Sequence, residues 1–439
     1  MTQYRITGDG AAEIAASIER GIEDGALRPG APLPAVRTLA AELGVSPTTV
    51  AAAFKDLRSR GLAVTRSRSG AQVSWRPPVA GSWLGAAVPA GVRDFASGNP
   101  DPDLLPDLAP VLRRIEPPRQ LYGGEPADPR LLELARAEFA QAGIAAENVA
   151  FVNGALDGIE RALAAHLRQG DVVAIEDPGF AGLFDLLRAL GLALRPVAID
   201  ARGMVPSALA DALDEGASAV VINPRGQNPT GASLDEERAM ALKHVLDRHP
   251  EAMVLEDDHL GPIAGTPRLT LTAGRLRWAA ARSLAKSLGP DLRLAVLAGD
   301  PHTISRVRGR QAVGPGWVSH LLQRTAAALW ADPKIARSLE KATATYRKRR
   351  ETFITALAEH GIEAHAPSGL NVWIPVPDET SAVQALQTEG WAVAPGAPFR
   401  LQAEPAIRVT ISTLQADEAK PLAAAIATAL RPSHRTRSA

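Results

Sequence analysis

The stretch ARSLAKSLGPDLRLAVLAGD (residues 281–300) joins the end of one apolar run to a second apolar run, and a single lysine, Lys286, lies between them. Short apolar runs that end in small or polar residues are typical of buried strands in a parallel sheet. Parallel sheets bind their ligands at the carboxyl ends of such strands. Ser283 precedes the lysine by three residues and Arg293 follows it by seven. A hydroxyl and a fixed cation therefore flank the amine, and this pair suits a phosphate dianion.

Further apolar runs of the same kind are separated by amphipathic stretches with helical spacing. They read VAFVNG (149–154), DVVAIEDP (171–178), SAVVINP (218–224), AMVLEDD (252–258) and RWAAARSL (277–284). This alternation predicts an α/β fold with a largely parallel sheet covered by helices. From about residue 340 a long helix and shorter mixed segments follow, which indicates a smaller α+β subdomain over approximately 330–432.

Several candidate ligand residues follow these predicted strands. The sequence Asn153-Gly154-Ala155-Leu156 lies between a strand and a helix, so the backbone amides of Gly154, Ala155 and Leu156 can face a phosphate with the helix dipole behind them. Asn228 lies in the turn of VINPRGQNPTG (221–231), and Asp257 lies near the end of the run VLEDD (254–258).

A lysine opposite a carboxylate is the arrangement that pyridoxal 5′-phosphate (PLP) requires. Asp257 can keep the pyridinium nitrogen protonated, which makes the ring an electron sink. The Asn228 amide can hydrogen-bond the phenolate oxygen, and Phe180 in EDPGF can stack on the ring face. For each residue taken alone a structural role stays open: a satisfied carboxylate, a surface ion pair, a turn or a core aromatic.

The first 75 residues have a different pattern, with three short helices followed by a hairpin. Isoleucines spaced four apart form the apolar stripe of a helix over 11–25. Two more helices are predicted over 35–44 and 45–61, and Ser46 can cap the second with Pro47 at its first position. The segment LAVTRSRSGAQVS (62–74) alternates as a hairpin with its turn at Ser69-Gly70. This order predicts a winged helix-turn-helix over 1–75.

A winged helix binds double-stranded DNA by inserting its second helix-turn-helix helix into the major groove. Between Arg37 and Arg68 the chain has six basic residues against two acidic ones, although Lys+Arg and Asp+Glu balance at 48 each overall. This local excess indicates a DNA-facing patch. The alternative interpretation is that these basic residues form a solvent-exposed face of a winged helix that binds another protein. The expected contacts are the helix-start hydroxyls and the basic side chains nearest to them: Ser46, Thr48, Thr49, Arg37, Arg66 and Arg68.

The remaining composition limits the class of protein. The chain of 439 residues suggests two to four domains, and the Pro-, Gly- and Ala-rich segment 76–93 is interpreted as a linker. The absence of cysteine excludes disulfides and thiolate metal ligands, and no metal site is predicted. The N-terminus does not have the pattern of a secretion signal, and no apolar run is long enough to cross a bilayer. We therefore expect a soluble, cytoplasmic protein.

Residues 95–430 resemble the fold-type I aminotransferases. The motifs that carry this resemblance are S-x-x-K at 283–286 with the later Arg293, NPTG at 228–231, and EDD at 256–258. Residues 28–62 resemble the GntR winged helix-turn-helix. Together they make the chain similar to a MocR-type transcriptional regulator, with an aminotransferase-like PLP-binding and effector domain over 94–432.

The resemblance implies roles for individual residues. Lys286 would form the Schiff base with PLP, while Ser283 and Arg293 would bind its phosphate. Arg408 in AIRVTIS would take the α-carboxylate of an amino-acid-like effector, as suits a guanidinium. Tyr122 in LYGG would reach the phosphate of the partner subunit. The resemblance also implies a domain-swapped, head-to-tail homodimer, in which this partner subunit is the second copy of the chain.

One position departs from the family pattern. The aminotransferases have a tyrosine two residues after the pyridine-binding aspartate, and this chain has His259. An imidazole can still donate a hydrogen bond there, but it ordinarily titrates near neutrality. This difference argues against efficient transamination and leaves cofactor binding unaffected.

Three functions are consistent with these residues. The first is a transcriptional regulator that senses PLP, an amino-acid-like effector, or both. The second is a working aminotransferase with an incidental head, which the retained lysine, aspartate and arginine favour. The third is a regulator that senses only PLP to control vitamin B6 supply.

Overall fold

The computed structural model describes residues 4–23, 26–28, 30–59, 61–66, 70–74, 88–116, 119–144 and 146–431. The chain separates into two compact units. The first comprises residues 1–82 with two short segments, 167–173 and 182–195. The second comprises 83–166, 174–181 and 196–439. The predicted linker, 76–93, lies mostly outside the described residues, which resume at 88.

The N-terminal head has the predicted three helices and hairpin. Its elements are α1 (Ala11–Glu23), α2 (Val36–Leu43), α3 (Pro47–Ser59), β1 (Ala63–Arg66) and β2 (Gly70–Val73). Strands β1 and β2 pair antiparallel, with Ala63 opposite Val73. The core includes Ile14, Ile18 and Phe54, which confirms the apolar stripe predicted for the first helix. The tip of the wing, residues 67–69, lies outside the described residues.

An eight-stranded sheet forms the centre of the large domain. Its strands in chain order are β4 (Val149–Val152), β5 (Val172–Asp177), β6 (Ala193–Asp200), β7 (Gly203–Met204), β8 (Ala219–Ile222), β9 (Met253–Asp258), β10 (Trp278–Ser283) and β11 (Ala295–Gly299). Their order across the sheet is β4-β11-β10-β9-β8-β5-β6-β7. The six apolar runs of the sequence all form strands. Strands β8, β9 and β10 are parallel, as predicted. The sheet also has antiparallel pairs, because β11 runs antiparallel to both of its neighbours and β7 runs antiparallel to β6.

Helices connect and cover these strands. They are α4 (Ala109–Leu112), α5 (Pro129–Gln141), α6 (Ala155–Ala164), α7 (Ala181–Ala189), α8 (Pro206–Asp214), α9 (Glu236–Asp247), α10 (Ala285–Leu288), α11 (Pro301–Ala312) and α12 (His320–Trp330). Several begin at an aspartate cap followed by proline, as at Asp128 and Asp300. Such a pair satisfies the free amides of the first turn and presets its backbone.

A second, four-stranded sheet lies near the C-terminus. It is formed by β3 (Arg93–Phe95), β12 (Asn371–Pro375), β13 (Trp391–Pro395) and β14 (Ala406–Thr410), in the order β12-β14-β13-β3. The helices that accompany it are α13 (Pro333–Ala358), α14 (Glu379–Thr388) and α15 (Ala419–Ala429). Their apolar faces share one core with the sheet, centred on Phe353, Leu386 and Ile407. The long helix begins at Pro333, earlier than the sequence pattern indicated.

Within the described part of the chain, no helix combines the length and the apolar character that a bilayer crossing requires.

Candidate functional site

Lys286 lies on the one-turn helix α10, directly after the end of β10. Its side chain is half-buried, and its Nζ donates a hydrogen bond to the Gly98 carbonyl at 2.7 Å. Burial, together with the positive charge of Arg408, lowers the pKa of the Lys286 amine to about 8. A substantial fraction of this amine is therefore neutral near pH 8, and only the neutral form is nucleophilic.

Asp257 lies on the neighbouring strand, in register with Ala281 of β10. It is 4% exposed, and its Oδ1 has no hydrogen-bond partner among the described residues. Burial, together with the charge of Asp258, raises the pKa of Asp257 to about 7. A carboxylate that is buried without a partner is costly. Asp257 is thus well suited to a cationic N–H group that this part of the chain does not supply.

Two residues beside Asp257 were missed by the sequence analysis. Asn223, at the end of β8, donates from Nδ2 to the Asp257 backbone carbonyl at 2.7 Å. Glu176, on β5, is 4% exposed and accepts from the Asn223 amide at 3.3 Å. Burial raises the pKa of Glu176 to about 8, so this side chain is mostly neutral at pH 7. The acidic residue inside the apolar run DVVAIEDP was the signal that could have identified it.

Arg408 and Asn228 come together from distant parts of the sequence. Arg408 is on β14, and its Nη1 donates to the Asn228 Oδ1 at 3.1 Å. Its Nη2 donates to the Ala96 carbonyl, and its guanidinium lies 4.5 Å from the centre of the Phe399 ring. Burial lowers the pKa of Arg408 to about 10, so it remains a cation at neutral pH. Its Nε has no hydrogen-bond partner among the described residues, which leaves a donor for an anion.

The turn between β4 and α6 brings Gly154 close to Arg293. Gly154 has φ +103°, and a Cβ there would lie 2.8 Å from the Arg293 Nη2. Arg293 has φ +43°, an uncommon conformation for a non-glycine residue. Its Nη2 donates to the Asn153 carbonyl at 3.4 Å. Glycine thus lets the guanidinium approach the first turn of α6, where free amides favour an anion. Ala155 and Leu156 form the start of that turn.

Ser283 and His259 complete the set near Lys286. Ser283 ends β10, and its Oγ accepts from the Ala285 amide at 3.3 Å. Burial and the positive charge of Lys286 lower the pKa of His259 to about 4. The expectation that this imidazole titrates near neutrality was therefore wrong, and the ring is neutral above about pH 5.

The two predicted aromatic contacts differ in their surroundings. Phe180 follows β5 and is half-buried. Tyr122 is 95% exposed and makes an edge contact with Trp317 at 5.7 Å between ring centres. The described chain gives Tyr122 no contact with the Lys286 site, and its predicted role depends on a partner subunit.

The opposite face of β9 carries a separate charged cluster. Asp258 is 1% exposed and accepts from Arg225 Nη2 at 2.6 Å and from Arg282 Nη1. Burial alone would raise its pKa, but the two guanidinium groups lower the pKa of Asp258 to about 2. Because side chains alternate along a strand, Asp257 faces the Lys286 site and Asp258 faces away.

The head carries the predicted cluster of hydroxyl groups at the start of α3. The Ser46 Oγ accepts from the Thr49 amide at 3.1 Å, which confirms it as the cap. The same oxygen contacts the hydroxyls of Thr48 at 2.7 Å and Thr49 at 2.8 Å. Ser46, Thr48 and Arg37 are exposed. Arg66 lies on β1, while its side chain and the whole of Arg68 lie outside the described part of the structure.

Comparison with known families identifies both parts of the chain. Residues 90–426 match the aminotransferase class I and II family. Residues 11–73 match the bacterial regulatory proteins of the gntR family.

The chain is also similar to individual proteins. It is 40% identical to the vitamin B6 salvage pathway transcriptional repressor PtsJ of Salmonella typhimurium, over 97% of this chain and 99% of that protein. It is 29% identical to the transcriptional regulator TauR of Rhodobacter capsulatus, over 87% of this chain and 88% of that protein. Among solved structures, it resembles the α-aminoadipate aminotransferase LysN of Thermus thermophilus, with a TM-score of 0.69 and 22% identity over 79% of this chain and 95% of that one. This last similarity supports the fold alone.

Proposed function

The chain belongs to the MocR-type regulators, which join a GntR winged helix-turn-helix to an aminotransferase-like domain, and on this basis we propose that it binds PLP at Lys286 and regulates vitamin B6 supply. In this proposal PLP itself is the effector, and the attachment of PLP to Lys286 changes the affinity of the head for operator DNA. The 40% identity to a vitamin B6 salvage repressor over nearly the whole chain supports this choice of effector.

The single observation that carries the proposal is the pairing of Lys286 with Asp257 at adjacent strand ends. PLP supplies an aldehyde that reacts with an amine and a pyridine ring that accepts a proton. Lys286 provides an amine whose pKa is lowered to about 8, and Asp257 provides a buried carboxylate oxygen without a partner among the described residues. These two groups fit the two ends of the cofactor ring.

The surrounding residues fit the remaining parts of PLP. Arg293 and the amides after Gly154 would bind the phosphate, with Ser283 beside them, because guanidinium, hydroxyl and helix-start amides all suit a dianion. Asn228 would donate its Nδ2 to the phenolate oxygen while its Oδ1 remains bound to Arg408. Phe180 would cover the ring. His259 would remain neutral beside the phenolate, since its pKa is about 4.

Arg408 supports a second candidate, in which an amino acid is the effector. Its buried Nε has no hydrogen-bond partner among the described residues, and its Nη1 lies 3.1 Å from the same Asn228. A carboxylate placed there would bring its amino group close to Lys286. In this version PLP is a fixed part of the sensor, and the amino acid changes DNA binding.

The proposal includes a head-to-tail homodimer. Leu121 is 79% exposed and Tyr122 is 95% exposed, so an apolar pair is available to a partner subunit near its predicted phosphate contact. A dimer also suits an operator with two half-sites. The DNA contacts in this proposal are the exposed Arg37, the hydroxyls of Ser46, Thr48 and Thr49, and the wing arginines.

The test is a measurement of operator affinity with and without PLP. The operator is first selected from random duplexes by the protein itself, and its affinity is then measured by fluorescence anisotropy. We expect PLP to change the dissociation constant at least about fivefold in the wild type and to have no effect on Lys286→Ala. If amino acids act only when Arg408 is intact, the second candidate replaces the first. Equal responses of wild type and Lys286→Ala to PLP would contradict the proposal.

A further inference from the structure

A cavity of about 840 Å³ lies in the larger unit. Arg225 and Arg282 line it, as do residues from the last turn of α12 and the first turns of α13. Among the described residues, neither Lys286, Asp257, Asn228 nor Arg408 belongs to its lining. The cavity thus differs from the Lys286 site in its lining and shares Ser283 with it.

The charge of the cavity follows from the alternation of side chains on β9 and β10. Arg282 is in register with Asp258 on the adjacent parallel strand. Arg225 reaches the same carboxylate from the turn after β8, with its Nε 3.0 Å and its Nη2 2.6 Å from the Asp258 Oδ2. Arg225 is 3% exposed and Arg282 is 5% exposed. Two buried guanidinium groups therefore share one carboxylate.

The other carboxylate on this face, Glu256, is hydrogen-bonded elsewhere. It accepts from the Thr270 hydroxyl at 2.9 Å and from the Leu271 amide at 2.6 Å. Burial raises the pKa of Glu256 above the ordinary value, although the charge of Arg282 opposes this shift. Arg268, also in the lining, is paired with Glu138. Among the described residues, Arg225 and Arg282 thus share Asp258 as their ion-pair partner.

Arg282 also has an unused donor. Its Nε is buried and has no hydrogen-bond partner among the described residues, and its guanidinium lies 5.4 Å from the centre of the Phe139 ring. A buried N–H group without an acceptor is unfavourable. Because Arg282 lines the cavity, an anionic oxygen placed there would supply the missing acceptor and a second negative partner for the two guanidinium groups.

The remaining wall is mixed. It includes polar and charged side chains such as Glu340 and Arg347, and an apolar part formed by Leu284, Leu288, Trp330 and Leu339. A cavity of this size that combines convergent polar groups with apolar surface is typical of small-molecule sites. We propose that it binds a small carboxylate with an apolar or aromatic body, its carboxylate on Arg282 and Arg225 and its body against this wall. The proposal does not depend on PLP sensing.

Isothermal titration of the full-length protein with 1-naphthoate tests this proposal. The neutral analogue 1-naphthalenemethanol has the same aromatic body without the charge. We expect naphthoate to bind at least about tenfold more tightly than the alcohol, because only the anion compensates the buried arginines. Absence of naphthoate binding, or equal binding of both compounds, would overturn the proposal.

Three variants locate the bound probe. Arg282→Met removes the unused donor, while Ala336→Trp fills the cavity from an exposed position on its wall and leaves the buried ion pairs intact. Each should weaken naphthoate binding about tenfold or more. Arg408→Leu, in the Lys286 site, should change it less than about twofold. Binding that is lost in Arg408→Leu but kept in Ala336→Trp would place the probe at the Lys286 site and refute the cavity as its site. Because Ala336→Trp does not touch Arg282, the test holds even if Arg282→Met does not fold.

Discussion

Asp257→Asn should stabilise the PLP-free protein, and the gain should grow with pH. The pKa of Asp257 is raised from 3.8 to about 7 in the folded chain. A carboxyl with a raised folded pKa carries no penalty below about pH 4, and the penalty develops as the pH rises through 4 to 7. Asparagine removes this penalty, because it cannot ionise.

The magnitude follows from the two pKa values. Holding Asp257 in the folded state costs about 2 kcal/mol at pH 5 and about 4 kcal/mol at pH 8. Asparagine introduces a buried amide whose cost does not change with pH, so this term cancels when the two pH values are compared. The stability gain of Asp257→Asn over the wild type should thus be about 2–3 kcal/mol larger at pH 8 than at pH 5.

Urea unfolding of the PLP-free protein, followed by far-UV circular dichroism at pH 5, 7 and 8, measures this difference. Asp258→Asn is the matched control, because it is the same substitution one residue further along the strand. In the wild type the pKa of Asp258 is lowered to about 2. Loss of this carboxylate leaves the buried Arg225 and Arg282 without their ion-pair partner. This control should lose about 3–5 kcal/mol at pH 7. An effect of Asp257→Asn that is independent of pH, or that becomes less favourable as the pH rises, would contradict the raised pKa of Asp257.

Three other predictions concern the phosphate turn, the amine and the head. Gly154→Ala should weaken PLP binding about tenfold in spectroscopic titrations, because it strains the backbone and displaces Arg293. Gly143 is the control, because it also has a positive φ but a Cβ there would have nothing within 4 Å. Gly143→Ala should leave PLP binding unchanged. The rate of PLP attachment to Lys286 in stopped-flow absorbance should rise from pH 6.5 to about pH 8.5 and then level off, because the neutral amine reacts; a rate that rises only above pH 10 would contradict the lowered pKa. Arg37→Ala should weaken operator binding and reduce the slope of log affinity against log salt by about 1, whereas an unchanged slope would remove Arg37 from the phosphate contacts.

Much of the fold was predictable because local patterns and tertiary structure agree. The six apolar runs became strands because four to eight buried residues are enough for a central strand. Ser46 and Pro47 marked the start of α3 because free first-turn amides need an acceptor. The antiparallel direction of β11 was not predictable, since direction depends on the connection between strands and not on the residues within them.

Some residues of the candidate site were also predictable from the sequence, and some of their contacts were not. Lys286 and Asp257 were identifiable because strand ends of a parallel sheet converge. The contacts of Arg408 with Asn228 and the Ala96 carbonyl were not, because they join segments that are far apart in sequence. The pKa of His259 was also missed, since it depends on burial and on the charge of Lys286. The sharing of the Asp258 carboxylate by Arg225 and Arg282 was also not predictable, because it depends on the register that places Arg282 beside Asp258.

The most direct test of the central claim is to identify the residue that PLP modifies. The full-length protein is saturated with PLP, treated with sodium borohydride, digested and analysed by peptide mass spectrometry. We expect one phosphopyridoxyl group per chain, on the peptide that contains Lys286, and none on that peptide in Lys286→Ala. An unmodified Lys286 in PLP-saturated wild-type protein would contradict the assignment of this lysine as the cofactor-binding residue.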